Sequence, residues 1–135
     1  MTTKVSISRR SIQLLRIAVS GIFLVAGLNH LLEVEKTAQR IEHGNFKAFT
    51  HFFGDPQWLI ILSGIAMLVA GFSFLMGYKT KWAAMLLMAV LIPITLTVQV
   101  GQMATLGPLF KNIAIFGGLL FFILNDTDNL LNKSK

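Results

Sequence analysis

The stretch Trp58–Gly77, WLIILSGIAMLVAGFSFLMG, holds no charged side chain. A helix that crosses the hydrocarbon core of a bilayer needs about 20 apolar residues at 1.5 Å each. This stretch therefore reads as a membrane span. Just upstream, Asp55 and Pro56 supply an N-cap and a first-turn proline. Just downstream, Tyr78–Lys81 is a tight connection to a second uncharged run, Trp82–Val100, with Pro93 inside it. That proline removes a backbone donor and predicts a bend. Two further runs complete the set. Ile12–Leu32 is interrupted by Gln13, Arg16, Ser20, Asn29 and His30, and Leu109–Leu124 is extended by Pro108 and Asn125. The expected architecture is all-α: an integral membrane four-helix bundle in one domain over residues 1–135, with helices over about 12–32, 58–77, 82–100 and 108–125.

Composition supports that reading. Of 135 residues, 54% are hydrophobic and 13% charged, about half the charge of a usual soluble domain. One soluble core of this size could not hide so much apolar surface, and the low charge excludes a disordered chain. There is no cysteine, so disulfides, thiolate metal sites and a dithiol relay are excluded. The net charge of +6 points to anionic lipid headgroups rather than nucleic acid, because the basic residues sit mostly at helix ends. The first run is too long for a signal-peptide core and lacks an A-x-A site after it, so it reads as a retained helix. Lys4, Arg9, Arg10, Lys79, Lys81, Lys133 and Lys135 fall on one side of the membrane; Lys36, Arg40, Lys47 and Lys111 fall on the other. The positive-inside rule then puts both termini in the cytoplasm and the long Glu33–Gln57 connection outside.

That connection has a pattern of its own. Val34, Ala38 and Ile41 recur at helical spacing up to Gly44, and Phe46, Phe49, Phe52 and Phe53 follow at three- and four-residue intervals. The expectation is a short amphipathic segment in the outer interface, with its phenylalanines toward the membrane.

Polar residues inside apolar runs are the candidate site. Arg16 lies about one turn into the first run, close enough to snorkel to the headgroups. Lys111 begins the fourth run, where both the helix dipole and the topology disfavour a cation. At the same level lie Asn29 and His30, the stripe Thr95, Gln99 and Gln102, and Asn112. Interhelical hydrogen bonding would account for some of these; their convergence from three helices points to a pocket. His30 is the one histidine in an apolar run, so a bis-histidine haem is excluded. The methionines read as gap fillers. The small pairs Ala66/Ala70, Ser73/Gly77 and Ala114/Gly118 permit close helix approach. No nucleophile–base pair, phosphate loop or carboxylate pair is visible.

Three further pieces, in order along the chain, are Ala26-Gly27-Leu28-Asn29-His30-Leu31 after Arg16-Ile17, Ala70-Gly71 with Gly77-Tyr78-Lys79-Thr80-Lys81-Trp82, and Lys111-Asn112-Ile113-Ala114 running to Gly117-Gly118. In these the chain resembles the DoxX family of four-helix bacterial membrane proteins. The resemblance implies an inner-membrane protein, in some relatives a subunit of a redox assembly such as thiosulfate–quinone oxidoreductase, in others a component of oxidative-stress complexes. By position it makes Arg16, Asn29, His30, Lys111 and Asn112 functional candidates. The chain departs from the family pattern at Met67, where an acid is common, at His30, where lysine is common, and at Gln99 and Gln102, where a histidine is common.

The expected function is an integral membrane subunit of a redox-linked assembly, with a polar pocket at the extracytoplasmic end for a quinone or a small sulfur anion. Arg16, Asn29, His30, Gln99, Gln102, Lys111 and Asn112 are its ligand-binding candidates. No covalently bound cofactor and no metal are expected; quinone is the candidate cofactor. The expected partners are the lipid bilayer and other membrane or redox proteins, with a homo-oligomer open and nucleic acid excluded. Catalysis by the chain itself is left open. The alternative is a non-catalytic scaffold or assembly factor for a partner membrane protein.

Overall fold

The α3 helix (Pro56–Met76) begins as its sequence dictates. Asp55 Oδ1 accepts from the Gln57 amide at 3.0 Å, and Pro56 needs no partner for an amide it lacks. It ends at Gly77, whose φ of +75° allows the left-handed turn that returns the Gly77 and Tyr78 amides to the Phe74 and Ser73 carbonyls. In the computed structural model, which describes residues 5–43, 52, 54–96 and 106–128, four more helices surround it. These are α1 (Arg9–Leu32), α2 (Val34–Glu42), α4 (Thr80–Ile94) and α5 (Leu106–Leu124). No strand occurs among the described residues.

Helices α1, α3 and α5 are long and apolar enough to cross a membrane. Helix α4 is apolar but has 15 residues, short of the expected Trp82–Val100. Pro93 lies within its last turn, and a π-type turn follows at Thr95–Leu96. The remainder of that run, Gln99 included, lies outside the described residues. The Val34, Ala38 and Ile41 spacing forms helix α2, with Ile41 buried and the helix ending at Glu42. Of the phenylalanine series, Phe52 is exposed, and Phe46, Phe49 and Phe53 lie outside the described residues.

The outer faces are apolar. Leu14, Ile17, Val25 and Leu28 on α1 and Leu62, Ile65, Val69 and Phe72 on α3 are exposed. Such stripes fit lipid chains, not water. Exposed aromatics bracket them: Trp58 is 66% exposed at one end of α3, and Tyr78 and Trp82 are 65% and 69% exposed at the other. Twenty helical residues separate the two levels by about 30 Å, the thickness of a hydrocarbon core.

Packing runs α1 against α3, α3 against α4, α4 against α5, and less extensively α5 back against α1. The α1–α3 crossing is the tightest. A Cβ on Gly27 would lie 3.0 Å from the Gly64 carbonyl oxygen, and one on Gly64 would lie 3.1 Å from the Gly27 carbonyl oxygen. In lipid, where helices gain no hydrophobic drive from meeting, such backbone approach is a main source of adhesion. Toward the end where α1 begins and α5 ends, Phe23, Phe74, Leu87, Leu119 and Phe122 are completely or almost completely buried. The Phe74 and Phe122 rings meet edge to face at 4.8 Å.

That end also carries a polar tie. The Asp128 carboxylate accepts from the Thr80 amide at 3.1 Å and from the Thr80 hydroxyl at 2.5 Å. Thr80 opens α4, so the anion sits where the helix dipole favours one. The sequence had placed polar convergence at the opposite end alone.

Candidate functional site

Among the described residues, the α2 end is hollow where the other end is filled. A cavity of about 840 Å³ opens among α1, α2, α3, α4 and α5. That volume is in the range of small-molecule sites, roughly 300–1,000 Å³. Its walls are mostly apolar, with Phe23, Ala66, Met67, Leu91 and Ile115 among them. Asn29, His30, Lys111 and Asn112, four of the expected site residues, line it together. The last turn of α1 and the first turns of α5 both border it.

His30 is oriented by α3. The Ser63 hydroxyl donates to the Ile60 carbonyl at 2.8 Å, so it accepts from His30 Nδ1 at 3.0 Å. A neutral ring then carries its proton on Nδ1 and a lone pair on Nε2. Asn112 is buried, and its Nδ2 donates to Thr95 Oγ1 at 2.8 Å; the Thr95 hydroxyl donates in turn to the Leu91 carbonyl at 2.8 Å. This chain of hydrogen bonds fixes α5 to α4 beside Pro93. Lys111 is exposed, and no carboxylate among the described residues pairs with it.

Helix α2 and its N-cap add groups outside the expected site. Glu33, Thr37, Arg40 and Ile41 face the same cavity. Lys36 donates to Glu33 Oε1 at 2.8 Å, and that hydrogen bond, with the charge of Lys36 and of Arg40, holds the Glu33 carboxyl below its ordinary range. Arg40 and Lys111 are thus two cations on a cavity whose acid is already engaged. Ser63 was also missed, because a serine in an apolar run gives no sign of which side chain it will meet.

Arg16 does not belong to this cavity. Its guanidinium lies at the opposite end, in the space a Cβ on Gly77 would need, with Cζ 3.0 Å from that position. Gln99 and Gln102 lie outside the described residues. Among the described residues no group of histidines, cysteines and acids could hold a metal. The cavity can therefore offer hydrogen bonds, one imidazole, two cations and a largely apolar wall.

Comparison with curated proteins and with solved structures gives no match. The DoxX family model matches residues 11–100, which covers α1 to α4 and leaves Lys111 and Asn112 on α5 beyond it. With two thirds of its length matched and its apolar helices as described, this chain belongs to the DoxX family of membrane proteins.

Proposed function

We propose that this protein is a multi-pass inner-membrane subunit of a redox-linked assembly, and that the cavity at the α2 end binds a quinone headgroup or a small sulfur anion. The supporting observation is the cavity of about 840 Å³ that gathers Asn29, His30, Lys111 and Asn112 from helices eighty residues apart in sequence. In this reading Lys111 supplies positive charge to the ligand. Asn29 and Asn112 supply hydrogen bonds, and His30 Nε2 accepts or relays a proton. Electrons come from a partner protein. The residues 82–100 complete a fourth span, both termini are cytoplasmic, and the cavity faces the extracytoplasmic side.

The test is a melting shift of the detergent-solubilised protein with a panel of quinones, thiosulfate and sulfite. A binding compound raises the wild-type melting temperature, and Lys111→Gln removes the shift while the unliganded protein stays folded. Loss of a charge-assisted hydrogen bond costs about 1.5–3 kcal/mol, or roughly ten- to a hundredfold in affinity. Arg16→Gln, at the other end, keeps the shift. If no compound shifts the wild type, the scaffold reading replaces this one. A reporter fused after Lys135 that reads outside would overturn the orientation.

A further inference from the structure

We propose that the end of the molecule opposite the cavity carries a specific site for the phosphodiester of an anionic glycerophospholipid, built on Arg16 and Lys79. The inference is independent of the cavity and its ligand. Arg16 reaches from α1 to the C-terminus of α3, where its guanidinium packs against Gly77. Its Nε is buried and has no hydrogen-bond partner, and no acid among the described residues forms an ion pair with it. The acids described at this end are otherwise engaged: Asp128 holds Thr80, and Asp126 has a partner of its own.

A guanidinium fixed in this way still presents its fork of donors, which matches two phosphate oxygens. The neighbouring turn adds charge. Lys79, two residues after Gly77, is exposed and held in the left-handed region at φ +45°, with its ammonium 5.6 Å from the Tyr78 ring centroid. Lys81, two residues further on, is exposed as well. The level is that of headgroups, since Tyr78 and Trp82 are exposed beside it at the end of the apolar stripe. A basic notch between two helices at headgroup depth selects a lipid phosphate held by its own acyl chains against α1 and α3. Gly77 is part of the site, because any side chain there would displace the guanidinium.

A purely structural Arg16, placed to complement the α3 dipole, would stabilise the protein equally in any lipid. The experiment separates the two. Wild type, Lys79→Gln, Arg16→Lys and Arg16→Gln are titrated in mild detergent with phosphatidylglycerol, phosphatidylcholine or inorganic phosphate, with melting temperature and native mass spectrometry as readouts. The wild type binds phosphatidylglycerol saturably and in preference to phosphatidylcholine. Lys79→Gln weakens the binding about fivefold, and Arg16→Lys, which keeps the charge but loses the fork, weakens it about tenfold or more. Arg16→Gln abolishes the preference. Equal binding of the two lipids by the wild type overturns the site. So does an undiminished preference in both Lys79→Gln and Arg16→Lys. An equal, saturable shift with inorganic phosphate would make the site one for the free ion and overturn the lipid assignment. Should Arg16→Gln fail to fold, Lys79→Gln and Arg16→Lys still decide.

Discussion

The two ends of this molecule solve opposite problems with the same helices. Where α1 begins and α5 ends, Phe74, Phe122, Leu87 and Leu119 fill the interior, and Asp128 ties the chain back onto Thr80. At the α2 end the helices stand apart around about 840 Å³, and their inward groups are hydrogen-bonded in pairs, His30 with Ser63 and Asn112 with Thr95. Packing holds the first end; directional bonds and a covering helix hold the second. Among the described residues, helices filled at one end keep their arrangement while leaving room at the other, and that is the physical argument for looking for function in the hollow half.

The contrast breaks first, and furthest, at Phe122. In Phe122→Ala the lost edge-to-face contact and the void it leaves cost about 2–3 kcal/mol, since unfolding within lipid returns little of the transfer term. Reversible denaturation in mixed micelles measures it; a cost below half a kcal/mol would mean the filled end is not the anchor. Next comes the helix crossing. Gly27→Ala puts a methyl 3.0 Å from the Gly64 carbonyl, a backbone atom with little freedom to yield, and destabilises by about 1–3 kcal/mol. Gly21→Ala, on the same helix with nothing within 4 Å, gains up to about 1 kcal/mol of helix propensity. Opposite signs are the expected result, and equal effects would remove the close approach as their cause.

Asp128→Asn should cost about 1–2 kcal/mol, as a helix cap that has lost its charge. Hydrogen exchange at Thr80 should quicken while exchange near His30 stays as it was; acceleration at both would show that the ends are coupled. The smallest effect on the fold belongs to Ala66→Leu. Its side chain projects into free volume, so stability changes by less than about 0.5 kcal/mol, while any ligand shift in the cavity is lost. A large loss of stability there would mean the space is not free.

What could be read in the sequence was local. Asp55-Pro56 and Gly77 mark the ends of α3 with residue types that the cap geometry requires, and Val34, Ala38 and Ile41 announce α2 by spacing. Asn29, His30, Lys111 and Asn112 stood out because polar groups are rare in such runs, and they do share a cavity. Arg16 stood out for the same reason; its depth, one turn into the first run, was legible and puts it at the far end, whereas its packing against Gly77 at the end of α3 was not. Ser63, Arg40 and the Thr80–Asp128 pair gave no comparable signal. Each acquires its role from a partner brought in by tertiary packing, and no periodicity encodes which element will arrive there.

The Thr80–Asp128 bond also sets an order of events during synthesis. Its partners are 48 residues apart, so α4 is made and delivered to the membrane before the carboxylate that caps it exists. The glycine-rich pairing of α1 with α3 needs only the first 76 residues and can form as soon as those helices leave the insertion machinery. The first amide of α4 stays unmatched until α5 has crossed and its trailing turn has swung back. Completion of that cap is thus a late step of assembly, one that waits for residue 128.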